Sequence, residues 1–198
     1  MRVLMITPEY PPKVMGSAGW TIHRLVHELA RRGVEIYVVC PSDYEEQRAE
    51  DSVKVVTAFC PIRTQLHVIT WAWSLIVSLV RRGAEVLHSL RGKIDLIHAQ
   101  EWIGLVAASY LKWYSKVPLV ATLHSTEAMR GGRTSLISEC IYGIERYFIS
   151  EADIVAASSK DEAESLIRDY GVEPSRIVLI DIERVNTLID LYRKVSTR

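Results

Sequence analysis

Cysteine is scarce in this 198-residue chain: Cys40, Cys60 and Cys140 are the only three, widely spaced and without a Cys-x-x-Cys pair. That usage excludes a disulfide framework or a zinc knuckle and suits a reduced compartment, so a cytoplasmic protein is expected. An excess of either charge is missing too, because 24 Lys and Arg face 24 Asp and Glu, for a formal net charge of zero. No bulk field draws such a chain to nucleic acid or to an acidic membrane, and neither partner is expected. Long apolar runs are also lacking. Residues 66–80 are the longest, and with His67, Thr70, Ser74 and Ser78 inside them they fall short of the ~20 residues that span a bilayer; a buried or groove-facing helix is expected instead, with a membrane-surface role as the alternative. The apolar run before Pro8 is too short for a signal-peptide core. Side-chain amides are few, with Asn186 and three glutamines, a tendency of thermophile proteins.

What is present is an alternation of short apolar segments with amphipathic, helix-length ones, the pattern of a parallel sheet covered on both faces. Strands are predicted over 2–6, 35–39, 53–57, 96–99, 119–123, 154–157 and 177–180, giving a single α/β, Rossmann-like, doubly wound and mainly parallel sheet. Helices are predicted from near Gly19 to a glycine cap at Gly33, from 66 to 82 with Gly83 as cap, and over 103–114, 138–150 and 161–169. The charged stretch 40–51 reads as a surface loop. Val185, Leu188, Ile189 and Tyr192 fall on one stripe of a final helix within 182–198 that packs back on the domain.

Several groups could carry chemistry. Gly16-Ser17-Ala18-Gly19 follows the first strand and opens a helix, where small residues let backbone N–H groups approach a diphosphate; the same residues also make an ordinary tight turn. Lys13 adds a positive charge beside it, or is a solvated loop lysine. His124 ends the predicted strand 119–123, at the edge where open α/β sheets place ligands. It can bond a sugar hydroxyl or shuttle a proton, or be a satisfied loop histidine. Ser125, Thr126 and Glu127 follow it, then Arg130-Gly131-Gly132-Arg133, a cationic loop that could close over a ligand or merely connect. Glu101 and Trp102 occupy the matching place after the fourth strand; an indole there can stack on a sugar face or belong to the core. His23 and His27 are four apart on the first helix, but no third ligand is evident and no metal is expected.

Four stretches in order carry a resemblance: Met1-Arg2-Val3-Leu4-Met5-Ile6-Thr7-Pro8-Glu9-Tyr10-Pro11-Pro12-Lys13-Val14-Met15-Gly16, Asp95-Leu96-Ile97-His98-Ala99, Val120-Ala121-Thr122-Leu123-His124-Ser125-Thr126-Glu127 and Glu151-Ala152-Asp153-Ile154-Val155-Ala156-Ala157-Ser158-Ser159-Lys160. Together they resemble the N-terminal domain of glycogen and starch synthase-like glycosyltransferases, retaining enzymes of the two-domain GT-B fold. The resemblance implies glucosyl transfer from ADP-glucose or UDP-glucose to an α-glucan or other sugar acceptor, with no further cofactor. It implies that Lys13, Gly16, Ser17 and Gly19 meet the donor phosphates, that His124 and Glu101 line the transfer site, and that Trp102, Ser125 and Glu127 border the substrate. Ser17 and Ala18 depart from the family's glycine and bulkier apolar residue, and Gln100-Glu101 from its usual His-Asp. It further implies an acceptor-side domain over 1–181 joined directly to a closing helix over 182–198. The donor-binding domain is then expected to be absent and the chain inactive alone, working with a donor domain in trans or as a homo-oligomer. A non-catalytic interaction or regulatory module that keeps the fold is the alternative.

Overall fold

A computed structural model describes residues 1–62, 67–131, 133–180 and 185–197. The expected helix start at Leu66, Gly132 of the cationic loop and the boundary at Asp181 and Ile182 lie outside the described residues. The sheet has eight strands in the order β3-β4-β2-β1-β5-β6-β7-β8. They are β1 (Arg2–Ile6), β2 (Glu35–Ser42), β3 (Gln47–Glu50), β4 (Val53–Phe59), β5 (Leu96–Gln100), β6 (Leu119–Thr122), β7 (Ile154–Ala157) and β8 (Ile177–Leu179). All neighbours pair in parallel except β3, which runs antiparallel to β4.

Strand periodicity divides the core in two. Leu4 and Ile6 of β1 face one layer, formed by α2 (Val68–Ser89), α3 (Glu101–Ser115), α4 (Leu136–Glu151) and α5 (Lys160–Tyr170). Val3 and Met5 face the other, where α1 (Ser17–Arg31) and α6 (Val185–Ser196) lie. The closing helix therefore packs as its stripe predicts: Val185, Leu188, Ile189 and Tyr192 are buried, Tyr192 completely. Arg32 of the turn after α1 donates to Asn186 Oδ1 at 2.6 Å, joining the two helices at their polar edge.

Two sequence expectations are corrected. Residues 40–51 are not all loop: β2 runs on to Ser42, and Gln47–Glu50 add an eighth strand. Its residues lack β propensity, and its form comes from tertiary ties. Arg82 of α2 donates to Thr57 O at 2.8 Å and to Glu46 O at 3.1 Å, while Glu46 N donates to Thr57 Oγ1 at 2.7 Å. Charge on this edge also discourages pairing with other chains. Gly83 does not end α2, which continues to Ser89. It is buried where α2 crosses α3, and a Cβ there would stand 2.5 Å from Leu111 Cδ1, so the glycine permits close helix packing rather than a stop.

Candidate functional site

β1 lies between β2 and β5, so the chain winds one way from β1 and then crosses to wind the other. The carboxyl ends of β1 and β5 flank this switch point, the place where open α/β sheets bind ligands. After β1, the Thr7 hydroxyl donates to Glu9 O at 2.8 Å, and Tyr10 and Lys13 close a small bridge. Glu9 turns inward. Its Oε2 accepts from Met15 N at 2.8 Å and Gly16 N at 3.0 Å, placing a carboxylate against the N-terminus of α1, where the helix dipole favours negative charge. Gly19 belongs to the same fit, because a Cβ there would come 2.6 Å from Val14 Cγ1 and 3.2 Å from Glu9 Oε2. The turn at 16–19 thus already holds an anion of the chain itself, a residue that sequence reasoning passed over. Ser17 is exposed at the first position of α1. Lys13 Nζ donates to Asp43 Oδ1 at 2.7 Å, and both border a cavity of about 560 Å³ with Pro8, Met15, Cys60 and Trp71.

Across the switch point, Glu101 begins α3 in the left-handed region, with φ 57°. Such a backbone strains a side chain other than glycine and persists where surroundings hold it. Here Glu101 Oε1 accepts the His124 N–H at 3.1 Å, binding the end of β6 to the start of α3. Burial pushes the Glu101 carboxyl up to about 7; the His124 N–H and Arg130 oppose this, and Glu145 and Glu9 add to it. The His124 imidazole is shifted the other way, downward, by burial, against the pull of Glu9. The structure therefore brings Glu101 and His124 together and adds Glu9 to their electrostatic neighbourhood.

The residues after His124 are bound to one another. Arg130 donates to the Ser125 carbonyl, to Glu127 Oε2 at 2.9 Å and to Glu145 Oε1 at 3.0 Å. Glu145 is fully buried and also accepts from Tyr170 OH at 2.5 Å and Glu127 N at 2.8 Å. Glu127 Oε1 accepts from Ser138 Oγ at 2.7 Å. Arg130 is thus an internal clamp rather than a free cation, and Glu127 is held on both oxygens. Arg133 lies over the Tyr142 ring, 4.9 Å from its centroid. Trp102 is half-buried and packs on the α2–α3 layer of the core.

Behind His124 runs a buried polar chain. His124 Nε2 is 3.1 Å from Gln100 Oε1, Gln100 Nε2 is 3.1 Å from His98 Nε2, and His98 Nδ1 is 2.5 Å from Tyr192 OH. Thr122 Oγ1 also meets His98 Nε2 at 2.8 Å. An amide has fixed polarity, so its oxygen accepts from His124 Nε2–H and its nitrogen donates to His98 Nε2. His98 then carries its proton on Nδ1, facing Tyr192. Complete burial keeps this imidazole neutral, its pKa pushed down to about 3. Metal-type ligands meet at the contact of α1 with β3, where Glu50 joins His23 and His27.

Residues 18–181 match glycosyltransferase family 4. The chain belongs to that family. It is 29% identical over 196 residues to the glycogen synthase of Mycobacterium tuberculosis, covering 91% of this chain and 47% of that one. To the D-inositol 3-phosphate glycosyltransferase of Corynebacterium efficiens it is 26% identical over 203 residues, covering 91% and 46%. The chain thus spans about half the length of the curated relatives it matches. Its fold is shared with sucrose-phosphate synthase from Thermosynechococcus elongatus, at TM-score 0.71 and 15% identity over 91% of this chain and 47% of that one. It is shared also with the catalytic domain of Arabidopsis thaliana starch synthase IV bound to ADP and acarbose, at TM-score 0.58 and 14% identity over 91% and 51%. The domain is therefore of the N-terminal GT-B type. No helix among the described residues is long and apolar enough to cross a membrane.

Proposed function

We propose that this domain forms the acceptor-side wall of a cleft in which a sugar passes from a nucleotide sugar to a saccharide acceptor, an α-glucan being the acceptor class that the glycogen synthase likeness favours. The observation that carries this reading is the meeting of Glu101 and His124 at the switch point, opposite the turn that opens α1. With Nε2–H committed to Gln100, neutral His124 keeps its Nδ1 lone pair to accept from a sugar hydroxyl. Glu101, with its pKa pushed up to about 7, can hold or release a proton near neutrality.

A departing nucleoside diphosphate gains negative charge as the sugar leaves, and fixed donors and cations must meet it. Lys13 supplies a cation at this edge. Its partner Asp43 is exposed, the two side chains being 46% and 75% accessible, and such pairs are worth only ~0–1 kcal/mol, so Lys13 can exchange Asp43 for phosphate at little cost. Gly16, Ser17 and Gly19 shape the adjoining turn, while Ser125, Glu127 and Trp102 border the acceptor side. The wall that binds most of the donor belongs to a second domain, in the same polypeptide or in trans from a donor-domain protein or another copy. ADP-glucose and UDP-glucose are the donors to try.

The test is calorimetric titration with maltooligosaccharide and nucleotide sugar, together with glucosyl transfer on mixing with a separately expressed donor-binding domain. The expected result is saccharide binding that His124→Ala weakens, and transfer in the mixture that Lys13→Ala lowers. Absence of saccharide binding together with no gain of transfer on mixing overturns the reading. Glu9 favours a second one, a non-catalytic interaction module, because its carboxylate occupies the N–H groups of Met15 and Gly16. That reading expects neither ligand to bind and a defined protein partner instead.

A further inference from the structure

Three buried polar atoms converge where α1 meets the edge strand β3. Among the described residues, Tyr10 OH, His27 Nε2 and Glu50 Oε2 have no hydrogen-bond partner, although buried polar groups in folded proteins are nearly always paired. Tyr10 is fully buried and His27 is 9% exposed. His23 and His27 stand one turn apart on the same face of α1, with ring centroids 4.4 Å apart. Glu50, the last residue of β3, reaches between them: its Oε1 is 2.8 Å from His23 Nε2 and 3.6 Å from His27 Nε2. One donor atom from each of the three residues lies within 4.8 Å of the other two.

We propose that His23, His27 and Glu50 bind a divalent transition metal of the zinc class. Two imidazole nitrogens and a carboxylate oxygen suit zinc with three protein ligands and an open fourth position, whereas magnesium and calcium require mostly oxygen. Ligand atoms on a tetrahedral zinc stand about 3.3 Å apart for bonds of ~2.0–2.1 Å, and the separations of 2.8 and 3.6 Å bracket that spacing. The fourth position opens on a cavity of about 490 Å³ bordered by both histidines, Glu50 and Asp51. His27 Nδ1 faces Asp51 Oδ2 at 3.7 Å. At that distance the carboxylate acts electrostatically, favouring a proton on Nδ1 and leaving Nε2 free to ligate. Arg48 stands 3.6 Å from Glu50 Oε2 through Nη2 but pairs more closely with Glu46 Oε1, through Nη1 at 2.6 Å.

A hydrogen bond between His23 and Glu50 alone would leave His27 Nε2 and Glu50 Oε2 unsatisfied; a metal ligated by both residues occupies the first and balances the charge of the second. It would join α1, whose first turn rests on Glu9, to a strand otherwise held by its pairing with β4. Tyr10, with its ring centroid 5.2 Å from that of His23, roofs the cluster.

The full chain, stripped with a chelator, is titrated with Zn²⁺ against a competing indicator, and separately with Co²⁺ while visible absorption is followed. One Zn²⁺ per chain is expected, with the intense visible bands of tetrahedral Co²⁺ and a saturable rise in Tm that Mg²⁺ does not produce. Glu50→Gln and His27→Gln should each weaken Zn²⁺ binding at least about tenfold, while a His67→Ala/His88→Ala variant, altered at histidines outside the cluster, binds as the unaltered chain does. Absence of saturable binding, weak octahedral Co²⁺ bands, or unchanged affinity in Glu50→Gln would overturn the proposal. Should a ligand variant fail to fold, the Co²⁺ spectrum and Tm response of the unaltered chain still decide between these outcomes.

Discussion

The hydroxyl of Tyr192 stands 2.5 Å from Nδ1 of His98, so the last helix is hydrogen-bonded to the middle of the central strand β5. Both residues are fully buried, and Gln100 continues the chain to His124 at the site. Seating α6 therefore supplies the acceptor for the Nδ1 proton that the Gln100 amide assigns to His98. Tyr192→Phe keeps the ring and deletes the bond, leaving His98 Nδ1 buried without it at a cost of about 1–3 kcal/mol. Denaturant unfolding should register that loss, and the ring resonances of His124 should move with it. Unchanged His124 resonances would mean that the four groups do not act as one chain.

Gly104 lets the start of α3 rest on β1. A Cβ there would stand 2.6 Å from the carbonyl oxygen of Ile6, a backbone atom that cannot rotate aside. Alanine is the better helix former by about 1 kcal/mol, yet overpacking typically costs 1–3. Gly104→Ala is expected to lower stability by about 1–2 kcal/mol and to disturb the Glu101 contact with His124. A gain in stability on urea unfolding would refute the close approach.

Glu101 gives stability a definite pH dependence. Its folded pKa is about 7 against an ordinary value of 4.5, so the folded chain binds more protons than the unfolded one between those values, and stability falls as pH rises through this window. A shift of this size corresponds to a loss on the order of 3 kcal/mol between pH 4.5 and pH 8. Glu101→Gln retains an acceptor for the His124 N–H and cannot ionise, so its stability should fall less over the same window. Parallel curves for the two proteins in urea unfolding across pH would rule this out.

Arg130 neutralises a carboxylate that has no access to water, Glu145 being fully buried. Arg130→Ala should cost about 3 kcal/mol by leaving that charge unpaired. Adding Glu145→Gln removes the charge and should restore part of the loss, which a double-mutant cycle measures directly.

How much of this was legible beforehand depends on the range of the interactions. Seven strands and the stripe of α6 followed from periodicity, because side-chain alternation and helical spacing are local and the solvent they avoid is the same everywhere. His124 and Glu101 could be placed at strand ends for the same reason. β3 could not be read, since its pairing with β4 and the bonds of Arg82 and Thr57 to Glu46, the residue before it, are set by the fold rather than by its own residues. Gly83 was misread because a glycine's local signal is the same whether it ends a helix or admits a neighbouring one.

The sequence by itself determined the alternation of elements, the parallel class of the sheet and the chemical types gathered after β1, β5 and β6. Tertiary structure alone decided which of those groups are engaged: Glu9 in the α1 turn, Arg130 on Glu145, Tyr192 behind His98, and Glu50 between His23 and His27. Each of these contacts joins residues brought together by folding. Hydrogen bonds and ligand geometry require atoms within about 3 Å, a condition that sequence spacing does not encode.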